Sequence, residues 1–148
     1  MTTNATNTTD TTVTGTFTYD GWDEEELSRT ADGTRLARAS VRNTFTGAVE
    51  AAGTHCAYTI VYRPDGTGTF TGHQQFEGAV GGRRGSFVVR ESGTFDERGT
   101  VQGSFEVMEG SGGGALAGLT GSGTFTAEHG VEAVPYRFDH TLPGPAAG

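Results

Sequence analysis

The sequence predicts an all-β fold, an eight-stranded antiparallel up-and-down barrel in one domain. The 148 residues match the usual size of a domain with a full core. The chain contains 25 Thr, a β-branched residue that suits a pleated strand better than a helix. Its nine Phe and 25 Gly are a mixture that disordered chains do not show, because those chains lack aromatic residues. A short pattern that recurs along the chain completes the prediction.

The recurring pattern is a hydroxyl residue followed by Phe. It occurs at Thr16-Phe17, Thr44-Phe45, Thr69-Phe70, Ser86-Phe87, Thr94-Phe95, Ser104-Phe105 and Thr124-Phe125, and a Gly precedes every pair except the second. Residues two apart share one face of a strand, so each Gly lies beside the inward ring and each hydroxyl points outward. The pattern indicates one strand environment used repeatedly.

The strands follow from this alternation and from the turns between them. Residues 1–12 are polar and of low complexity, and we expect a flexible tail there and another at 143–148. The domain, 13–142, contains strands near 13–22, 35–46, 48–62, 67–80, 83–96, 100–109, 121–128 and 131–142. Turn residues separate them at Pro64-Asp65-Gly66, Gly81-Gly82, Glu97-Arg98-Gly99 and His129-Gly130.

The hairpins can be tested for consistency, because a correct register keeps the apolar faces of both strands together. The turns at 64–66, 81–82 and 97–99 pair Ile60 with Phe70, Tyr58 with Gly72, Phe76 with Phe87, Gly72 with Glu91, Glu91 with Phe105, and Val89 with Val107. The apolar face survives every turn, which predicts a continuous meander. Such a meander closes into a barrel and leaves no exposed edge, although a two-sheet sandwich is the alternative.

Composition excludes several classes of function. All ten basic residues are Arg, so lysine-based Schiff-base and phosphate-loop chemistry are absent. The net charge of −8 argues against nucleic acid, and no apolar run is long enough to span a membrane. Cys56 is alone and the four His are dispersed, so we expect no disulfide, no metal and no cofactor. We expect a cytoplasmic protein.

Several short segments can be compared with known families. They are Trp22-Asp23-Glu24, Ala39-Ser40-Val41, Phe45-Thr46-Gly47, Tyr62-Arg63-Pro64-Asp65-Gly66, Gly85-Ser86-Phe87 and the stretch from Gly110-Ser111-Gly112 to Leu119-Thr120-Gly121. Together they resemble a bacterial family known only as a domain of unknown function, whose members are similar to allene-oxide-cyclase-like, calycin-like barrels. The resemblance runs from about Trp22 to Tyr136. It implies a barrel that can enclose a flexible apolar substrate, as cyclases and isomerases of this class do.

The candidate site lies on the predicted inner face of the barrel. Glu91 and Tyr58 are the candidate catalytic residues, because a carboxyl among Phe rings has a raised pKa and Gly72 leaves room beside it. The acidic stretch after Trp22 is expected to be a solvated loop, with Trp22 at the barrel mouth. Cys56 and His140 also point inward. The candidate ligand-binding residues are Trp22, Tyr62, Phe70, Gln74, Phe87, Phe105, Glu109 and Tyr136.

Three functions remain open. The first is a protein that binds a small apolar or amphipathic molecule in a cavity, and the second is a cyclase or isomerase in which Glu91 or a tyrosine moves a proton. The third is a structural module filled by its own rings. We expect a homodimer, and we expect a net cavity because inward glycines should reopen the interior; these are Gly68, Gly72, Gly78, Gly85, Gly93 and Gly103.

Overall fold

The computed structural model describes the backbone of residues 8–143 and the side chains of residues 11–143. Every regular element in these residues is a β-strand, as the β-branched and aromatic composition predicts. The strands are β1 (Thr8–Arg29), β2 (Arg35–Gly47), β3 (Val49–Tyr62), β4 (Gly68–Val80), β5 (Arg83–Phe95), β6 (Val101–Val107), β7 (Gly113–Gly114), β8 (Thr120–Ala127) and β9 (Val134–Pro143).

Eight of these strands close into a single antiparallel barrel. Each strand from β1 to β5 pairs with the next, β6 pairs with β8, β8 with β9, and β9 returns to β1. The two-residue β7 pairs with β5 inside the β6–β8 connection. The barrel is therefore confirmed and the sandwich alternative is wrong. All six cross-strand residue pairs predicted from the turns are confirmed.

The connections define two different barrel ends. Four of them, 30–34, 63–67, 96–100 and 128–133, lie at the end that we call the open end. The others, Ala48, Gly81-Gly82 and 108–119, lie at the opposite end, which we call the closed end. The longest connection, 108–119, carries Leu116 and Leu119, which are 0% and 1% exposed. Their burial with Val107 and Phe138 makes this connection a plug in the closed end.

Phenylalanine rings fill the closed end above this plug. Phe76 and Phe87 are cross-strand partners whose rings stack with centroids 4.5 Å apart. The ring of Phe138 stacks 6.5 Å from that of Phe87 and 4.9 Å from the buried imidazole of His140. Such pairs contribute about 0.5–1.5 kcal/mol each beyond burial. The closed end is therefore a packed aromatic core.

The Gly-hydroxyl-Phe pattern has a structural reason that the sequence alone did not reveal. Where two copies pair antiparallel, each ring lies over the glycine of the other. Gly68 faces Phe95 while Phe70 faces Gly93, and in the adjacent β6–β8 pair Gly103 faces Phe125 while Phe105 faces Gly123. A Cβ on any of these four glycines would lie 2.2–2.5 Å from the tip of a ring, so only glycine admits the ring there.

The expectation that inward glycines open the cavity is therefore wrong. At Gly68, Gly93 and Gly103 the space is taken by rings. At Gly78 and Gly85 a Cβ would meet the carbonyl oxygens of Glu50 and Gly113 at 2.1 and 2.0 Å. These glycines permit close approach of strands and rings, which strengthens packing rather than relieving it.

The first strand differs from the prediction at both of its ends. It begins at Thr8, within the segment expected to be a tail, because Thr8–Phe17 pairs with Val134–Pro143 of β9. Residues 1–7 and 144–148 lie outside the described residues. The strand also continues to Arg29, so the acidic stretch 23–26 is not a loop. It pairs with β2 across two irregularities, at Asp20/Asp23 and Glu26/Ser28. Pairing with β2 overrides the low strand propensity of Asp and Glu.

Residues 18–29 of β1 form an edge of the barrel at its open end. The pairing of β1 with β9 stops at Phe17, whereas its pairing with β2 continues to Arg29. Charged side chains and bulges protect an edge from pairing with other chains. Gly21 adopts a φ of 68° at the first irregularity, which non-glycine residues seldom adopt. Before this irregularity the odd-numbered residues Phe17 and Tyr19 face inward. After it the even-numbered residues Trp22 and Glu24 face inward.

Candidate functional site

A cavity of about 820 Å³ lies inside the open end. Its walls come from all eight barrel strands, and they are mostly apolar. Its aliphatic and Phe lining consists of Phe17, Val41, Ile60, Phe70, Phe95, Val101, Phe125, Ala127 and Val134. Its volume falls within the range of small-molecule sites, and apolar walls with few polar groups are typical of such sites. A net cavity is therefore present, in one half of the barrel.

Aromatic and acidic side chains surround the cavity mouth. Trp22 is 47% exposed, and its ring centroid lies 6.4 Å from that of Tyr58. Glu24 joins the rim residues, because it accepts hydrogen bonds from the indole N–H of Trp22 at 3.1 Å and from the Tyr62 hydroxyl at 2.7 Å. Burial and the Glu24 carboxylate raise the pKa of Tyr62 to about 12, so Tyr62 remains a neutral donor.

A buried carboxyl lies on the same inner face. Glu91 is 3% exposed. Its Oε1 accepts a hydrogen bond from the Tyr58 hydroxyl at 2.9 Å, and its Oε2 accepts one from the Gln74 amide. The Gln74 oxygen in turn accepts hydrogen bonds from Asn43 at 2.7 Å and from Thr54 at 2.5 Å. Strands β2 to β5 thus contribute to one polar network within the apolar interior.

The electrostatics of the network follow from burial. Burial raises the pKa of Glu91, and the hydrogen bonds from Tyr58 and Gln74 offset this only in part. Within residues 11–143 no Arg forms an ion pair with it. Burial, with the nearby Glu91 carboxylate, also raises the pKa of the Tyr58 hydroxyl and that of the Cys56 thiol. Burial therefore shifts the protonation equilibrium of all three groups towards the neutral form.

The ring of Tyr58 connects the network to the cavity. Tyr58 lines the cavity, whereas Glu91 is not among the described residues that do. The expected free space beside Glu91 is absent, because a Cβ on Gly72 would meet the carbonyl oxygen of Ala57 at 2.0 Å and Cδ1 of Tyr58 at 2.9 Å. A proton can pass between Glu91 and the cavity through the Tyr58 hydroxyl, which is a hydrogen-bonded route of the kind that general acids use.

The structure brings together four of the predicted site residues. Trp22, Tyr58, Tyr62 and Phe70 all line the cavity. Tyr58, Tyr62 and Phe70 face the interior and Trp22 lies at the mouth, in agreement with the sequence analysis. Glu91 lies one hydrogen bond behind this group.

The other predicted residues lie elsewhere. Gln74 belongs to the Glu91 network, and Phe87 packs in the closed end. Phe105 covers Gly123 and contacts Phe138. The Tyr136 hydroxyl donates to the Thr46 carbonyl at 3.1 Å and accepts from the Val49 amide at 3.0 Å, which fixes β9 to the β2–β3 turn.

The inward orientation expected for Glu109 is wrong. Strand β6 ends at Val107, and Glu109 is exposed in the turn that begins the plug connection. The alternation that held along β6 ends with the strand, so its parity does not extend to Glu109. The buried positions of Cys56, Gln74, Tyr136 and His140 agree with the parity that the sequence predicted.

Sequence reasoning missed the β8–β9 connection. Residues Glu128, His129, Gly130, Val131 and Glu132 line the cavity mouth. This connection reads as an ordinary polar turn, since His129-Gly130 carries the turn signal. One clue was available: Val131, an apolar residue in the turn, is 50% exposed at the mouth. Tyr19, 58% exposed at the facing edge of β1, was missed because the β1 edge was not foreseen.

Residues 11–143 contain no group of three His, Cys, Asp or Glu side chains arranged to hold a metal ion. The same part of the chain contains no helix long and apolar enough to cross a membrane. The Cys56 thiol is buried and free.

These features define a class: a closed eight-stranded antiparallel barrel with a packed end and an aromatic cavity at the other end. The family model for a protein of unknown function (DUF3224) matches residues 13–140, so the chain belongs to the DUF3224 family. It is similar to the crystal structure of a protein with unknown function from that family from Shewanella oneidensis MR-1, with 28% identity and a TM-score of 0.76. The match covers 93% of this chain and 100% of that one. A comparison with curated proteins finds no match.

Proposed function

We propose that the protein binds a small apolar or amphipathic molecule in the cavity at its open end. The observation that carries the proposal is the cavity itself, about 820 Å³ with mostly apolar walls, in a barrel whose other end is fully packed. Burying a ligand there removes apolar surface from water on both sides, at about 25 cal/mol per Å². Exposed Tyr19, Trp22 and Val131 at the mouth support this function, because exposed apolar groups clustered together commonly mark binding sites.

The alternative function, a structural module filled by its own rings, explains the closed end but not the cavity at the open end. The rings of Phe76, Phe87 and Phe138 fill the closed end, as that hypothesis requires. The rings of Phe17, Phe70 and Phe125 form walls around the cavity instead. We therefore favour ligand binding over a purely structural role.

The experiment is a thermal-stability screen with fatty acids, alkylamines, polyenes, polyketide-like compounds and terpenoids. A ligand present at 100 times its dissociation constant stabilises the folded state by about 2.7 kcal/mol, which gives a clear shift. The shift must saturate with concentration and must also appear as a change in the fluorescence of Trp22, the single tryptophan at the mouth. Absence of a saturable shift throughout the screen contradicts the proposal.

A matched pair of variants locates the ligand. Ala127 lines the cavity, whereas Ala52 is exposed on the outside of β3. Ala127→Phe places a ring in the cavity and should weaken binding at least tenfold, because the volume available to the ligand falls. Ala52→Phe adds the same ring to the outer surface and should leave the affinity unchanged. Equal effects of both variants would place the ligand outside the barrel.

A cyclase or isomerase activity is the second candidate, and the Tyr58–Glu91 pair is the observation that favours it. Tyr58 lines the cavity and its hydroxyl donates to a carboxyl whose pKa is raised by burial. In such an enzyme the Tyr58 hydroxyl turns its proton from Glu91 to a ligand oxygen and takes a proton from the protonated form of Glu91. The Tyr58–Glu91 hydrogen bond reverses in this step, and Glu91 is left as the carboxylate. The cavity walls hold the flexible substrate in a reactive shape.

Glu91→Gln separates the two candidates. Gln retains the size of the side chain but cannot supply a proton, so an activity found with a ligand from the screen should be lost. A passive binder should keep its affinity within about tenfold. Full turnover by the variant would exclude the proton-transfer role. A homodimer and a cytoplasmic location stay predictions from the sequence.

A further inference from the structure

We infer that the ligand of this cavity is an organic cation, a protonated amine or quaternary ammonium group attached to an apolar body. This inference rests on the proposed function and adds the class of head group. The apolar cavity is the binding site. The groups around its mouth determine which head group is stable there.

The first argument is the distribution of charge along the barrel axis. The segments that form the open end, 18–40, 58–71, 92–103 and 124–136, contain 11 of the 18 acidic residues and five of the ten Arg. They therefore hold six of the eight net negative charges, although they contain only 62 of the 148 residues. A cleft of one sign with low-dielectric walls concentrates counter-ions at its entrance. The open end attracts cations and repels anions.

The second argument is the aromatic composition of the mouth. The rings of Tyr19, Trp22, Tyr58 and Tyr62 all line the cavity at or near its entrance. Faces of Trp and Tyr rings attract cations, and clusters of such rings are a common means of binding quaternary ammonium groups. An anionic head group gains nothing from these faces. An aromatic mouth with surrounding carboxylates therefore discriminates between the two charges.

The third argument is that a side chain already makes this interaction at the same rim. The guanidinium of Arg35 lies 4.1 Å from the ring centroid of Tyr62, and it also contacts the Glu26 carboxylate at 3.4 Å. A cation between a ring and a carboxylate is thus accommodated at the edge of the mouth. Trp22 and Glu24 repeat the combination of ring and carboxylate beside it.

The fourth argument is that two carboxylates at the mouth have no cation of their own. Glu128 and Glu132 both line the cavity, and neither forms an ion pair with any Arg among residues 11–143. The segment 124–136 that carries them contains no Arg. They lie in the connection that leads into β9, the neighbour of β1 in the barrel, and Trp22 of β1 lines the same cavity. A head group at this mouth therefore meets negative charge and ring faces together.

The test compares three probes with the same eight-carbon chain: octyltrimethylammonium, octanol and octanoate. Binding is followed by Trp22 fluorescence and by calorimetry at about pH 8, above the ordinary pKa of imidazole. The ammonium probe should bind at least about fivefold more tightly than octanol, as expected for a cation on aromatic faces. Octanoate should bind more weakly than octanol.

Matched variants connect the preference to the mouth. Removing both rim charges with Glu128→Gln and Glu132→Gln should weaken the ammonium probe several-fold and leave octanol unchanged. Glu77→Gln removes a charge from an exposed residue on the outside of β4 and should change neither affinity. An equal loss with Glu77→Gln would show that only net charge matters, which would overturn the inference.

The remaining outcomes distinguish this inference from the proposed function. Octanol and octanoate binding as tightly as the ammonium probe would overturn the cation preference and leave the apolar cavity as a ligand site. Failure of all three probes would contradict the inference, and if the wider thermal screen also fails, the proposed function fails with it. Tighter binding of octanoate would assign the opposite charge to the ligand.

Discussion

The two ends of the barrel are made by the same eight strands and the same Gly-hydroxyl-Phe pattern, yet one end is packed and the other is hollow. At the closed end the 12-residue connection 108–119 places Leu116 and Leu119 into the interior. The open end has connections of five or six residues, and its rings stand against the walls. The comparison teaches that the connections decide whether a ring-lined barrel has a cavity.

The largest expected difference between the ends is in stability. Leu116→Ala removes a fully buried side chain from the plug and should lower the free energy of unfolding by about 2–5 kcal/mol. Trp22→Ala at the half-exposed mouth should change it by only about 0.5 kcal/mol. Urea unfolding measures both. A mouth variant as destabilising as the plug variant would mean that the mouth is part of the structural core.

The next difference concerns glycine. A Cβ on Gly78 would lie 2.1 Å from the backbone oxygen of Glu50, which cannot move without displacing β3. The three atoms nearest to a Cβ on Gly103 all belong to the ring of Phe125, which lines the cavity and can turn into it. Gly78→Ala should therefore be the more destabilising change, by about 1–3 kcal/mol.

Gly103→Ala should act differently, because the new methyl group would push the Phe125 ring into the cavity. The displaced Phe125 ring would occupy ligand space, so affinity for a ligand from the screen should fall while stability falls less than with Gly78→Ala. Denaturant curves and calorimetric titration of the two variants provide the comparison. Equal losses of stability and no loss of affinity would show that the ring does not move into the cavity.

The smallest expected effect is a pH dependence from Glu91, which lies between the two ends. Its pKa is raised in the folded state, so the folded state binds more protons than the unfolded state between the two pKa values. Stability contributed by neutral Glu91 is therefore complete below the ordinary carboxyl pKa and is lost as pH rises through the raised one.

Glu91→Gln isolates this contribution. The difference in unfolding free energy between wild type and variant should shift in favour of the variant as pH rises from about 4 to about 8. The same measurement on Glu77→Gln, which removes an exposed carboxyl from the outside of β4, is the matched control, and its difference is subtracted from that of Glu91→Gln. A constant difference for Glu91→Gln would mean that Glu91 titrates as an ordinary carboxyl.

Most of the barrel was predictable because residues close together in the sequence determine which side of each strand faces inward and where each turn lies. Alternation of Gly, Phe and hydroxyl residues indicates the inward face, and turn residues at 64–66, 81–82 and 97–99 fix the register that places Glu91 beside Gly72. The β1 edge was not predictable in the same way, because its acidic residues have low strand propensity and adopt β structure through pairing with β2.

The candidate site was predictable only in part, because it depends on which end is closed. Parity alone placed Phe87 and Tyr136 beside Tyr58 and Phe70 as candidate ligand residues. Their height along the axis separates them, since Phe87 packs toward the plug whereas Tyr58 lines the cavity. The contribution of Glu128–Glu132 comes from a loop that lines the cavity, and hydrophobic periodicity carries no information on loops.

The most direct test of a ligand site confined to the open end is a methyl NMR titration with the tightest ligand from the screen. Ile60, the single isoleucine, lies on the cavity wall, whereas Leu116 and Leu119 lie in the plug. The account predicts saturable shifts for the methyl groups of Ile60, Val101 and Val134 and little change for the two plug leucines. Shifts at the plug, or none at Ile60 despite binding, would contradict it.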